Sequence, residues 1–447
     1  MFFFLTLHLG CASWNQSACV DHSDRNALLE IYKQDNQVYL DQRSENSSQS
    51  SQLAWKFQKM ATSEYDFMRG SLQVFWSQLQ HENLESEFLQ EPQSQWIPIY
   101  GDAHPENYAM VFQPSTQSGS LEIVDLDSAH FAPWTWEVRR ALLSIRVFAS
   151  MFEGCSDKCQ AQLVDAWLQG FEAGLKTGSM DWSQSQILQD LYQEAIEEGA
   201  ERKRFWKFMD REARKPQLQR RTVNDEGKGL QDVSDPSIRE LMVQWAFQTE
   251  KENVRILDLV EQLGKGVSSL PAKRYLILWD QGEDSTPEIL MFRQIFPLQQ
   301  ALTMFQEPVQ RLSKLQPLLL QNASFLEMHA LKQGSRYFKT QKVTSYMQDI
   351  DVSKLQEDFQ EGDYQIADLQ KLSQVLGMKI GAQCHHSQTQ NGSSCNTVVL
   401  ADIEKAGGWA HLKAVSQTLA KNDQQEHVQN YRWFQWRLSQ TDGLLGL

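Results

Sequence analysis

The residues best suited to chemistry are gathered in Ile99-Tyr100-Gly101-Asp102-Ala103-His104-Pro105-Glu106-Asn107-Tyr108 and in Ile123-Val124-Asp125-Leu126-Asp127. An apolar lead-in ends at Asp102, Asn107 follows five residues later, and Asp125 comes eighteen residues after Asn107. This pattern suits phosphoryl transfer. One carboxylate, Asp102, orients or deprotonates an acceptor hydroxyl, while Asn107, Asp125 and Asp127 hold Mg²⁺ on the phosphates. Mg²⁺ prefers hard oxygen donors, which Asn and Asp supply. Asp127 can equally serve as a helix cap. His104 is read as a hydrogen bonder holding the loop, and His130, His385 and His386 as structural.

The elements around this stretch must position it. Residues 96–127 read as strand, loop, hairpin and strand. Pro133-Trp134-Thr135-Trp136-Glu137-Val138-Arg139-Arg140 then leads into an apolar helix over Ala141–Phe152. Glu137, at that helix start, is placed to accept backbone N–H groups or to pair with a cation of the loop. Upstream, apolar positions 57, 60, 67, 68, 72, 74, 75 and 79 fit helices. Arg69 at a helix end suits a carboxylate or phosphate clamp, or else a surface salt bridge.

Residues 160–209 read as helices through Leu163, Trp167, Phe171 and Leu175. Between Arg202 and Arg221 nine Lys/Arg face only Asp210 and Glu212. That run reads as a solvated helical face, with a patch for an anionic ligand as the sharper alternative. A helix over about Ile238–Leu263 is expected to end at Gly264-Lys265-Gly266-Val267-Ser268. Arg274–Trp279 and Glu288–Arg293 follow as a β-hairpin, and Tyr337–Val343 as a further strand. The loop with Gly264, Gly266 and Ser268 is either an ordinary turn or a place where backbone N–H groups meet phosphates. Arg293 is the natural phosphate cation. Helices complete the chain over 365–384, 402–421 and a Trp-rich tail to 439.

At 447 residues, 41% apolar and 22% charged, the chain can bury a large core as one large or two ordinary domains. Its net charge of −15 argues against general nucleic-acid binding, which needs cationic surface, yet permits a local basic pocket for a nucleotide. Met-Phe-Phe-Phe-Leu-Thr-Leu-His-Leu-Gly-Cys reads as a short export signal, and Gly10-Cys11 resembles the end of a bacterial lipoprotein signal. An exported, periplasmic or lipid-anchored protein is therefore expected, with a cytoplasmic one as the alternative. A helix around Asn26–Tyr39 interrupts an otherwise polar stretch, and Ser44–Ser51 reads as linker. Six cysteines leave three readings open. These are local disulfides Cys155/Cys159 and Cys384/Cys395 in an oxidising compartment, a zinc site with His385 or His386, or buried thiols.

Gly101-Asp102-Ala103-His104-Pro105-Glu106-Asn107 resembles the catalytic loop of aminoglycoside-phosphotransferase-like and protein-kinase-like enzymes, and Asp125 stands where those enzymes keep a metal-binding Asp. More closely, the chain from about Lys56 onward resembles the bacterial kinase-like family called domain of unknown function 2252. The likeness runs through Lys59-Met60, Phe67-Met68-Arg69-Gly70, the Gly-Asp-Ala-His loop, Asp125-Leu126-Asp127, residues 133–140, residues 264–268 and Gly381-Ala382-Gln383-Cys384-His385. Where that family carries Lys followed by Glu, this chain has Arg293 and Gln294. Arg binds phosphate with a different reach and fork.

The resemblance implies an α+β, protein-kinase-like architecture. A mostly helical large lobe is joined to a small mixed-strand lobe in permuted order, because the phosphate loop follows the catalytic loop. The expected organisation is a signal or lipoprotein segment over 1–19, a polar extension over 20–54 and a kinase-like domain over 55–447. That domain holds a catalytic segment at 96–152, a nucleotide lobe at 264–345 and C-terminal helices at 365–439. The implied cofactors are Mg²⁺ and ATP or another nucleotide, and the implied partners are that nucleotide and a small-molecule or protein acceptor. An exported pseudoenzyme or binding module is the first alternative, and a metal-dependent phosphoesterase the second.

Overall fold

A computed structural model describes residues 47–81, 96–224, 227–233, 235–267, 270, 272–282, 285–298, 307–320 and 328–439. The signal reading and the helix expected around Asn26–Tyr39 lie outside these residues. The described chain begins with helices α1 (Ser47–Met60), α2 (Glu64–Gly70) and α3 (Leu72–His81). The Ser/Gln run expected to be linker is therefore helical from Ser47, because it continues directly into the apolar turns that bury Leu53, Phe57 and Met60. Ser63 caps α2 by accepting the Asp66 N–H.

Next come β1 (Ile97–Ile99), β2 (Tyr108–Gln113), β3 (Ser118–Ile123) and β4 (His130–Ala132). They are followed by α4 (Trp134–Ser150), α5 (Asp157–Thr177), α6 (Gln186–Glu201) and α7 (Lys203–Phe208). The strand-rich part holds β5 (Gly229–Asp232), α8 (Ser237–Gln248), β6 (Arg255–Leu263), β7 (Arg274–Asp280) and β8 (Glu288–Ile295). It continues through α9 (Pro308–Leu319), β9 (Ala330–Gln333), β10 (Arg336–Lys342) and β11 (Met347–Asp349). The chain then returns to helices α10 (Val352–Glu361), α11 (Ile366–His386), α12 (Cys395–Lys405) and α13 (Gly408–Leu438).

The fold is α+β with antiparallel sheets. A six-stranded sheet has the order β5-β6-β7-β8-β10-β9, a three-stranded sheet the order β11-β2-β3, and β1 pairs with β4. One expectation is corrected here. The helix expected over Ile238–Leu263 stops at Gln248, and residues from Arg255 form β6 instead. Ile256, Leu259, Val260 and Leu263 do fit a helical stripe. However, Glu250 and Asn253 adopt left-handed backbone at φ 53 and 54, which ends the helix. Pairing of β6 with β5 and β7 on either side then decides the outcome, so tertiary context overrides local periodicity.

The helical part is built around α5 and α11, which approach to backbone contact. A Cβ on Gly170 would lie 1.8 Å from the Gln374 carbonyl oxygen, and one on Gly377 2.0 Å from that of Trp167. Only glycine admits this spacing. A buried ion pair, Lys379 to Glu122 at 2.7 Å, ties α11 to β3. Both close cysteine pairs are disulfides, Cys155–Cys159 and Cys384–Cys395. These bonds replace the zinc and free-thiol readings. Among the described residues no helix is long and apolar enough to cross a membrane.

Candidate functional site

The loop after β1 is shaped by α4. Gly101 has φ 77, and a Cβ there would lie 2.4 Å from the Ser128 carbonyl oxygen, so the tight passage requires glycine. Glu137, in the first turn of α4, accepts the backbone N–H groups of Tyr100 and Gly101, as its position suggested. One turn later Arg140 donates from Nε and Nη2 to Asp102 Oδ1 at 2.9 and 2.8 Å. A single helix thus fixes both the backbone and the carboxylate of the loop. Asn107 closes it, its Nδ2 donating to the Asp102 carbonyl at 2.7 Å.

Burial raises the Asp102 carboxyl above its usual value, with Arg140 opposing. His104 is also buried, and burial together with Arg69 and Arg140 holds its imidazole well below the usual value, hence neutral. The loop bonds attributed to this residue come from its backbone. The N–H donates to the Asp102 carbonyl, and the carbonyl accepts from Asn107, both at 2.9 Å. Its ring Nε2 lies 3.7 Å from Asp102 Oδ2, and among the described residues its Nδ1 meets no hydrogen-bond partner.

The eighteen-residue gap between Asn107 and Asp125 is a hairpin. Tyr108 pairs with Ile123, and the Val124 N–H donates to the Asn107 carbonyl at 3.0 Å, which sets the two site residues side by side. Opposite them stands the six-stranded sheet. Its register places Arg274 on β7 beside Arg293 on β8, and Arg293 beside Lys339 on β10. Three cations therefore form one row across three strands, where like charges repel unless something neutralises them.

Two of the three are neutralised. Arg293 Nη2 lies 2.6 Å from Asp125 Oδ1 and 2.5 Å from Asp127 Oδ2. Lys339 Nζ lies 3.0 Å from Asp125 Oδ1 and 2.6 Å from Asp127 Oδ1. Burial would raise Asp125, but Arg293 and Lys339 outweigh it and hold the carboxyl well below the usual range. Arg274 is different. It is buried, and among the described residues it has no ion pair or side-chain hydrogen bond. Burial, with Arg293 adding to it, pushes its guanidinium down to about 9.

These groups face a cleft of about 410 Å³, a size typical of ligand sites. Arg69, Asn107, Asp125, Gly266 and Arg293 line it together. Asp102 and Asp127 are not among the residues that line it: Asp102 is buried next to His104, and Asp127 is held by Arg293 and Lys339. Arg69 is held by Glu106 at 2.6 Å and Asp66 at 3.3 Å, so it is a cleft-wall cation already engaged by acids. Gly264 and Gly266 have φ 67 and 90, and their carbonyls accept from Lys59 Nζ at 2.6 and 3.4 Å. Ser268 lies outside the described residues. Sequence reasoning missed Arg274, Lys339, and Arg140 as the Asp102 clamp. Their shared signal is register between distant strands and helices, which one sequence does not carry.

A pH test follows from Glu137, whose carboxyl burial raises to about 7, with the Gly101 and Tyr100 N–H groups opposing. An acid whose folded value lies above its unfolded one binds more protons when folded. It therefore contributes stability at low pH that is lost as pH rises from about 4.5 to about 7. His130 and His427, lowered by burial to about 4, act in the opposite sense over about pH 4–6.5. The difference between wild type and Glu137→Gln isolates the carboxyl. The variant is expected to lack about 3 kcal/mol of this pH-dependent loss. Urea unfolding at several pH values measures it, and parallel curves would contradict it.

The model of a bacterial family, described as "Uncharacterized protein conserved in bacteria (DUF2252)", matches residues 49–435. No curated protein and no solved structure matches the chain.

Proposed function

The chain belongs to the DUF2252 family, and from that premise and the charge of the cleft we propose that it is a Mg²⁺- and nucleotide-dependent phosphotransferase acting on a hydroxyl acceptor. The carrying observation is the cation row Arg274–Arg293–Lys339 facing Asn107 and Asp125, with Arg274 buried and lacking a counter-ion among the described residues. A buried, unpaired charge is costly, and a ligand phosphate offsets that cost.

The arrangement of parts supports a kinase-like reading. A glycine turn joins β6 to β7, the next strand carries Arg293, and the acids stand on the opposite wall. Protein kinases likewise have a Gly-rich turn, a basic residue on the third strand and an Asp/Asn metal pair. Here the catalytic loop comes first in the chain, which makes the order permuted. Arg293 pairs with Asp125 and Asp127, whereas kinases pair the corresponding lysine with a helix glutamate. The helix after β8, α9, instead presents the buried Arg311 to the Asp127 and Ala129 carbonyls.

In this reading Arg274, Arg293 and Lys339 bind phosphate oxygens. Leu276, Met291 and Val343 offer apolar wall to a base. Asn107, Asp125 and Asp127 carry oxygen donors of the kind Mg²⁺ takes and would hold the ion once Arg293 and Lys339 turn from the aspartates to phosphate, and the ion would supply neutralisation of charge on the transferred phosphoryl group. Asp102 does not itself line the cleft, so in this reading it takes the acceptor hydroxyl's proton through His104, which does line it, and its burial-raised pKa favours that role. Arg140 holds one of its oxygens and leaves the other toward His104. The phosphoesterase reading has less support, since Asp102, which would ligate a metal beside His104 in such a site, is clamped by Arg140.

The test uses Arg274→Met. The variant removes an unpaired buried charge beside Arg293, so the ligand-free protein is expected to melt higher than wild type. Its Mg·ATP affinity is expected to fall by about tenfold or more, the loss of one charge-assisted contact. Calorimetry measures both. A merely structural arginine would lower melting and leave affinity alone, and no binding of ATP or GTP by wild type would overturn the proposal.

An exported binding module without transfer is the second reading. The two disulfides favour it, because they suit an oxidising compartment where ATP is scarce. The neutralisation of Asp125 and Asp127 by Arg293 and Lys339 favours it as well. It predicts anion binding that does not depend on Mg²⁺, with no release of ADP.

A further inference from the structure

Eight cations line the cleft: Arg69, Arg204, Lys207, Lys265, Arg274, Arg293, Lys339 and Lys342. They face only four acids, Glu106, Asp125, Asp349 and Asp351. In a chain of net charge −15 this is a local reversal of sign. All four acids are already engaged. Glu106 holds Arg69, Asp125 holds Arg293 and Lys339, and Asp349 holds Arg204 at 3.2 Å. Asp351 caps α10 by accepting the Ser353 and Lys354 N–H groups. Lys342 pairs with Glu288 outside the cleft lining. Among the described residues, Arg274, Lys207 and Lys265 are left without a counter-ion.

These three do not occupy one place. Arg274 stands in the strand row beside Arg293, which holds Asp125 and Asp127. Arg204 and Lys207 lie three residues apart on α7, Lys265 lies on the turn that leads to β7 and Arg274, and all of them line the cleft. Arg274 is thus the joint between an inner end, where the aspartates lie, and an outer end formed by Lys265, Lys207 and Arg204. Lys207 and Lys265 are exposed, and the backbone that carries the outer end is tethered to the sheet. The Arg204 N–H donates to Ser345 Oγ at 2.7 Å, Arg202 donates to the Pro287 carbonyl at 2.7 Å, and Phe205 is buried against the sheet. Lys265 extends from the turn between β6 and β7, whose carbonyls Lys59 holds. The basic run from Arg202 therefore brings α7 to the cleft and is not only a solvated face.

We infer that Lys207, Lys265 and Arg204 form a second anion subsite, which takes a phosphate or carboxylate group separate from the phosphates held at Arg274, Arg293 and Lys339. The inference rests on the phosphotransferase reading for the inner end. Two sources share this chemistry: an anionic group on the acceptor, or a further phosphate on the nucleotide's ribose.

The test titrates inorganic pyrophosphate into the full chain saturated with AMP-PNP at excess Mg²⁺. One further equivalent is expected to bind, more weakly as salt rises. Lys207→Gln/Lys265→Gln is expected to weaken it by about tenfold or more while AMP-PNP affinity changes by less than about twofold. One-for-one displacement of AMP-PNP by pyrophosphate, or wild-type pyrophosphate binding in the double variant, would overturn the inference. Failure of AMP-PNP to bind would sink the phosphotransferase reading alone. Pyrophosphate is then titrated by itself, and its dependence on the two lysines still decides the subsite. Adenosine 3′,5′-bisphosphate against AMP distinguishes the sources. A lysine-dependent gain in affinity places the anion on the ribose, and equal affinities with pyrophosphate still bound place it on the acceptor.

Discussion

Asp125→Asn is expected to abolish Mg²⁺-dependent nucleotide binding and to lower phosphoryl transfer by about a thousandfold, the scale seen when one preorganised charge is removed from a reacting site. The side chain keeps its volume and loses only its charge. That charge has two partners in the ligand-free protein, Arg293 at 2.6 Å and Lys339 at 3.0 Å, and the substitution leaves both to Asp127. In the proposed complex the same carboxylate would serve Mg²⁺, and Arg293 and Lys339 would take the phosphates. Asp125 therefore bears on both ligand-free and bound states, and the variant should also melt lower. Circular dichroism separates a folded, inactive variant from an unfolded one. Transfer within about tenfold of wild type would exclude Asp125 from the reacting site.

The second large effect is on stability. Arg140→Leu is expected to destabilise the protein by about 3–5 kcal/mol, the cost of leaving one partner of a buried ion pair alone. Arg140 is 1% exposed and Asp102 6%. The arginine also donates to the Met68 carbonyl at 2.9 Å, so a second buried acceptor loses its partner. Without Arg140 the folded Asp102 carboxyl titrates still further above its unfolded value. The deficit should therefore shrink as pH falls and the acid is protonated, and grow as pH rises. Urea unfolding near pH 4 and pH 8 measures this. Arg140→Leu/Asp102→Leu should recover part of the loss, because it removes the stranded charge. A deficit independent of pH, with no recovery in the double variant, would show that packing and not the ion pair is at stake.

The shape of the loop after β1 was legible because its determinants are local. Gly101 passes Ser128, the Asp102 carbonyl accepts from His104 and Asn107 within five residues, and a short hairpin returns the chain to Asp125. The role expected for Glu137 was likewise set by one helix start. The cysteine pairs were legible as candidates, but spacing left disulfide, metal and thiol open until the Cα atoms were placed 5.1 and 5.3 Å apart.

What did not show was long-range. Arg293 stood out in sequence as a phosphate cation, but Arg274 and Lys339 are ordinary strand cations there, and only antiparallel register sets the three in a row. Arg140 reaches Asp102 across thirty-eight residues. Ile256, Leu259, Val260 and Leu263 suit a helix as well as a strand, and the neighbouring strands β5 and β7 made the choice. The loop wall of the candidate cleft was therefore readable in sequence, and of the sheet wall only Arg293 was.

The most direct measurement is a thermal-shift titration of the protein with ATP, GTP and ADP, each with and without Mg²⁺, beside Asp125→Asn. A saturable rise that requires Mg²⁺ and is absent in the variant is expected. It should reach about 2.7 kcal/mol of added stability at a hundred times Kd. No shift with any Mg²⁺-nucleotide, or an equal shift without the metal and in the variant, would contradict phosphoryl transfer and leave the cleft as a binding site for another anion.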